Sequence, residues 1–123
     1  MKPTILELTP MLETDDLEGT VHFYTKTLGF EEHNYSIEAG WVTLKRDDIM
    51  IMFTKHNEHR NFKKPIMSGS LYFRVNHVDP IWLDLRGKCD ICYPLENFEY
   101  GMREFAIYDN NGYLLQFGQE IGK

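Results

Sequence analysis

The chain has 123 residues, of which 42% are hydrophobic and 26% charged, enough for one folded domain that buries a core alone or as a small oligomer. Its net charge of -6, with no basic block longer than Lys63-Lys64, argues against a nucleic-acid partner and is compatible with a cationic ligand. The longest apolar runs, such as Ile49 to Phe53, fall far short of the ~20 residues of a bilayer span, and Met1-Lys2-Pro3-Thr4 lacks the apolar core of a signal peptide, so no membrane partner and a cytoplasmic location are expected.

In chain order, Ile5 to Leu12 alternates as a strand does, with Pro10 near its middle. A proline donates nothing to a ladder, so this is expected to be an edge strand, a bulge, or a place where the chain leaves one sheet for another. Asp15 or Asp16 is positioned to cap a helix, Glu18 has capping-box spacing from Asp15, and Leu17, Val21, Tyr24 and Leu28 recur at helical intervals up to the stop at Gly29. Phe30 to Ser36 reads as a strand and Glu38-Ala39-Gly40 as a turn. A hairpin follows, Trp41 to Leu44 and Ile49 to Phe53 around Lys45-Arg46-Asp47-Asp48.

After a polar stretch from Thr54 to Gly69 the order repeats. Ser70 to Val75 reads as a strand, Asp79 as an N-cap with Pro80 at the first helical position, and Val78, Ile81, Trp82 and Leu85 as an apolar stripe ended by Gly87. Residues 89 to 95 suit a strand and Glu96 to Met102 a loop. The last hairpin is the plainest in the chain: Glu104 to Tyr108 and Tyr113 to Phe117 flank Asp109-Asn110-Asn111-Gly112, residues that favour tight turns. One strand, one helix and three strands thus occur twice, with Thr9 matching Ser70, Leu17 matching Val78 and Met52 matching Gln116. The expected class is α+β, with one module at about 4–53, a linker at 54–69 and a second module at 70–118. A four-stranded sheet covered by one short helix leaves its other face bare, and two such sheets facing each other would form a cup suited to a small molecule.

Thr9-Pro10-Met11-Leu12, Asp16-Leu17, Phe23-Tyr24, Leu28-Gly29-Phe30, Gly101-Met102-Arg103-Glu104-Phe105 and Asp109-Asn110-Asn111-Gly112, in this order, resemble the glyoxalase/bleomycin resistance/dioxygenase (vicinal oxygen chelate) superfamily, and within it most of all the bleomycin resistance proteins. The resemblance implies paired βαβββ modules whose sheets form a cup, and a homodimer with N-terminal strand exchange at a proline like Pro10. It also implies up to four cup-facing positions at which metal-using members carry His, Gln or Glu, here Thr9, Met52, Ser70 and Gln116. Thr9, Met52 and Ser70 are poor ligands for a divalent ion, and Gln116 alone cannot hold one, so neither metal nor other cofactor is expected.

Other chemistry is weakly supported. Cys89 and Cys92 have Cys-x-x-Cys spacing but lie on a predicted strand, where positions three apart face opposite ways, and read as reduced structural thiols. His56 and His59 read as part of a solvated connector rather than as metal ligands. Strand parity, fixed by the superfamily's ligand positions, puts Thr9, Met11, Trp41, Thr43, Met50, Met52, Ser70, Tyr72, Arg74, Ala106, Tyr108, Leu114 and Gln116 on the cup face. The opposite parity, which includes Leu8, Val42, Leu44, Ile49, Ile51, Phe105 and Phe117, is apolar and suits packing under the helices. Trp41, Tyr72, Tyr100 and Tyr108 offer flat faces for planar or cationic ligands, and Thr9, Met52, Ser70, Arg74 and Gln116 complete the expected ligand-binding set. The function expected is metal-independent sequestration of a planar small molecule, cationic or neutral, in a groove at the dimer interface, as the bleomycin resistance proteins do, with no catalytic residue. The alternative is a glyoxalase- or dioxygenase-related enzyme with an atypical site, using Tyr108 or Glu104 as an acid-base group.

Overall fold

A computed structural model describes residues 2–36, 38–55 and 66–122, and the chain divides into two units, residues 1–65 and 66–123. His56, His59 and most of the expected linker lie outside the described residues.

The first unit runs β1 (Met11–Thr14), α1 (Leu17–His22), a π-helical continuation (Phe23–Thr27), β2 (Glu31–Ser36), β3 (Trp41–Arg46) and β4 (Ile49–Lys55). Its sheet has the order β1-β4-β3-β2, with β1 parallel to β4 and the other neighbours antiparallel. Asp16 rather than Asp15 caps α1, its Oδ1 accepting from the Gly19 amide at 2.9 Å. That leaves Glu18 one residue short of the capping-box position, where it complements the positive end of the helix. The helix widens after His22: the Leu28 amide reaches back five residues to the Phe23 carbonyl at 3.3 Å. The turn brings Tyr24, fully buried, against Phe30 and Phe53, with ring centroids 5.4 and 5.0 Å away. Arg46 then satisfies the free Leu28 carbonyl from the sheet at 2.8 Å.

The expected strand at 5–12 is corrected. Strand pairing begins at Met11, immediately after Pro10, because the proline has no N–H to offer and contributes only its carbonyl, which accepts from the Met52 amide at 2.8 Å. Ile5, Leu6 and Leu8 are 90%, 89% and 90% exposed, so Leu8 does not pack under a helix as parity suggested. Ile49 also departs from its parity class and is half exposed, since it opens β4 beyond the reach of α1.

The second unit runs β5 (Leu71–Arg74), α2 (Val78–Leu85), β6 (Asp90–Phe98), β7 (Met102–Tyr108) and β8 (Leu114–Glu120), in the order β5-β8-β7-β6. Met11 pairs with Met52 in the first sheet and Tyr72 with Gln116 in the second, so each unit is a βαβββ module and the duplication extends to strand register. Strands β4 and β8 run to Lys55 and Glu120, beyond the module ends expected at 53 and 118. Two local expectations change. His77, not Asp79, is the N-cap of α2, and Gln119 of β8 does the capping by accepting from the Val78 amide at 2.9 Å. Asp79 is left free to bind the Arg103 guanidinium at 2.7 Å, which holds its carboxyl below the usual carboxylate range. The supposed loop 96–102 is mostly strand, because β6 continues to Phe98 and β7 starts at Met102. Pro94 is tolerated in β6 because that strand lies at the sheet edge and its register slips between Tyr93 and Glu96. Under α2, Phe105 stacks on Phe117 at 5.2 Å, Phe117 on Phe73 at 5.1 Å, and Trp82 tilts onto Phe105 at 5.2 Å.

Candidate functional site: a carboxyl among tyrosines on the second sheet

The face of the second sheet away from α2 is polar where the first hairpin gives methionines. Tyr72 of β5 pairs with Gln116 of β8, which pairs with Ala106 of β7, which pairs with Tyr93 of β6, and alternation puts all four side chains on one face. Glu104, two residues before Ala106, joins them and is almost fully buried. A continuous hydrogen-bond chain results. Ser70 donates to Gln116 Oε1 at 2.6 Å, Gln116 Nε2 donates to the Tyr93 hydroxyl at 2.9 Å, Tyr93 donates to one carboxyl oxygen of Glu104, and Tyr72 donates to the other at 2.8 Å.

The chain fixes directions. Both ends of the Gln116 amide are engaged, so its orientation is set, and both oxygens of Glu104 accept from phenols. Burial, and then the Glu104 carboxyl, push the Tyr93 phenol up to about 12 and the Tyr72 phenol further in the same direction. Tyr100 is raised by the same two causes. All three phenols therefore stay protonated donors through the physiological range. Above this polar layer the surface is aromatic: Tyr100, 61% exposed, stacks on Phe98 at 5.3 Å and 15°, and Phe98 meets the Tyr93 ring edge-on at 5.6 Å.

Of the expected site residues, Ser70, Tyr72 and Gln116 fall in this chain and Tyr100 borders it. Tyr108 lies one alternate position beyond Ala106, partly exposed, with its phenol raised by the neighbouring Cys92. Arg74 sits at the exposed end of β5 and pairs loosely with Glu120 at 3.7 Å. Thr9, Trp41 and Met52 belong to the first unit, where Thr9 donates to Glu7 at 3.3 Å, Trp41 pairs with Thr54, and Met52 sits between Met11 and Thr43. Tyr93 was missed, and Glu104 entered only as an acid-base alternative. Alternation with Ala106 and Tyr108 could have found Glu104, but the slip beside Pro94 hid the face of Tyr93. The thiols of Cys89 and Cys92 are free, and burial raises that of Cys89, as suits an inert structural thiol.

The sequence model of the Glyoxalase/Bleomycin resistance protein/Dioxygenase superfamily matches residues 8–117. The chain belongs to this superfamily. Solved structures agree in fold. A bleomycin resistance determinant encoded on transposon Tn5 superposes with TM-score 0.74 at 24% identity over 94% of this chain and 98% of its own. TioX from Micromonospora sp. ML1 gives 0.75 at 18% over 94% and 98%, and a lactoylglutathione lyase from Agrobacterium tumefaciens 0.69 at 17% over 96% and 96%. These identities establish the fold alone. No curated protein matches the sequence.

The superfamily's metal positions do not fit a metal in this chain. Ser70 and Gln116 are already bonded to each other, the first unit offers a hydroxyl at Thr9 and a thioether at Met52, and among the described residues no three His, Cys, Asp or Glu side chains gather as a divalent site would require. Among the described residues no helix is long and apolar enough to cross a membrane.

Proposed function

We propose that this superfamily member is a cytoplasmic, metal-independent binding protein of the bleomycin resistance type, a homodimer that sequesters a planar small molecule, cationic or neutral, in a groove between subunits. The observation that carries this reading is the chain Ser70–Gln116–Tyr93–Glu104–Tyr72 with its exposed aromatic border, because it joins an oriented polar strip to flat stacking surfaces. In this reading Tyr72, Tyr100 and Tyr108 provide stacking, Ser70 and Gln116 fix the ligand's orientation, Arg74 bounds the groove, and Thr9, Trp41 and Met52 contribute from the first unit. An enzymatic role for Glu104 is disfavoured by the two phenols that occupy its oxygens.

The test is a thermal-shift screen of planar cationic compounds, followed by titration calorimetry of one hit on Trp41→Ala, Tyr72→Ala, Tyr100→Ala and Gln116→Leu. Each aromatic loss is expected to cost about 2 kcal/mol of affinity. Gln116→Leu is expected to change which compounds bind while fold and dimer persist. Unchanged affinity in all four variants, or stoichiometric Zn, Ni, Mn or Fe in the purified protein, would refute the reading.

A further inference from the structure

A cavity lies in the first unit, on the face of its sheet that α1 covers. Register fixes the lining: Glu32 pairs with Leu44, Tyr35 with Val42, Val42 with Phe53 and Lys55 with Thr14, so Glu32, Tyr35, Val42 and Lys55 all point to the side on which Leu44, Ile51 and Phe53 form the core. Glu32 and Tyr35 are three residues apart and share this side only because β2 slips register between Glu32 and Asn34. The short α1 leaves part of the face open, and between its first turn and the β2–β3 ladder there is a space of about 610 Å³. That is the size of a small-molecule site.

The floor is apolar, made by Leu17, Val21 and Val42, and the Tyr35 ring beside it is 57% exposed on what is otherwise a core face. Asp15, Asp16, Glu18 and Glu32 are the exposed carboxylates around it, against one cation, Lys55, among the described lining residues. Asp16 and Glu18 have a structural use at the start of α1, one as cap and one as first-turn acid. Neither use accounts for Glu32 and Tyr35, which come from the strand opposite. An open apolar floor, an aromatic face and carboxylates on both walls together select a ligand that is apolar in body and positive at one end.

We infer that this helix-side cavity binds a small organic ammonium ion, its apolar or aromatic body on Leu17, Val21 and Val42 and its charge between Tyr35, Glu18 and Glu32. The site lies on the opposite side of the first sheet from Met52; Trp41 at the start of β3, which the groove reading also uses, is among its lining residues, and its other lining residues take no part in the groove proposed above.

Benzyltrimethylammonium is the probe, with benzyl alcohol and benzenesulfonate as neutral and anionic comparators, followed by amide NMR and calorimetry on the full chain. The expected result is binding of the cation only, with shifts concentrated at 17–22 and 31–36. Affinity is expected to fall roughly threefold to tenfold in Tyr35→Ala and in the isosteric pair Glu18→Gln, Glu32→Gln, and also as salt is raised. Equal binding of benzenesulfonate, or unchanged affinity in both variants, overturns the inference. Shifts confined to 71–74 and 114–120 also overturn it while leaving the groove reading intact, so the two proposals fail separately.

Discussion

The phenol of Tyr72 lies across the Cα of Gly118, so that a Cβ built on the glycine would collide with the hydroxyl, meet the ring carbon Cζ at 2.8 Å and meet the Met102 methyl at 3.1 Å. Gly118 is thus the gap in β8 through which Tyr72 reaches Glu104. Gly118→Ala is expected to expel the ring, break the Tyr72–Glu104 bond and destabilise the fold by roughly 2–4 kcal/mol in urea unfolding. In a Tyr72→Leu background, where nothing crosses the glycine, the same change is expected to cost under about 1 kcal/mol. Equal costs in the two backgrounds would show that Gly118 acts through its own backbone instead.

The phenols predict an alkaline limit to stability. The unfolded Tyr93 titrates near 10 and the folded one near 12, so the neutral form is favoured by folding. This contribution is fully present below about pH 10 and is lost as pH rises towards about 12. Ultraviolet titration is expected to resolve late-ionising tyrosines, with Tyr93→Phe removing one and flattening the alkaline decline in stability. A decline unaltered by that substitution would assign the effect to other groups.

Most of this architecture is legible in the sequence, because the final hairpin and both helices announce themselves through period and turn chemistry. The failures have physical causes. Pro10 interrupts an alternation that composition alone continues back to Ile5, and only the pairing partner of a segment decides whether it becomes a strand. At α2 the cap comes from Gln119, 41 residues away in sequence, and local motifs contain no trace of it. Gln116, Ser70 and Tyr72 were reachable by parity, whereas Tyr93 was not, since a register slip inverts every facing assignment beyond it.

The exposed Ile5, Leu6 and Leu8 precede β1, which is an edge strand of its sheet. An apolar segment next to an open edge invites pairing with a second copy. Sedimentation at micromolar concentration is expected to show a dimer, and deletion of residues 2–9 to weaken it by about 3 kcal/mol or more. The circular dichroism of the remainder is expected to change little, since strand pairing starts at Met11. A monomeric full-length chain would remove the shared groove from the functional reading.

Glu104 separates a binding surface from a filled core. Its carboxyl accepts from Tyr72 and Tyr93 while almost fully buried, so Glu104→Ala strands two phenols and is expected to cost roughly 2–4 kcal/mol. Glu104→Gln keeps the volume and one acceptor oxygen, and its new N–H groups face a phenol that must then turn its own proton away. Because Tyr93 also receives the Gln116 amide, that turn propagates along the chain to Gln116 and Ser70. The expected outcome for Glu104→Gln is a loss of stability within about 1 kcal/mol together with a reordering of ligand affinities across the planar compounds of the screen. Calorimetry of two hits that differ in hydrogen-bond acceptors reads this directly. If stability falls and the order of affinities stays the same, the polar chain serves packing alone and the ligand is selected elsewhere.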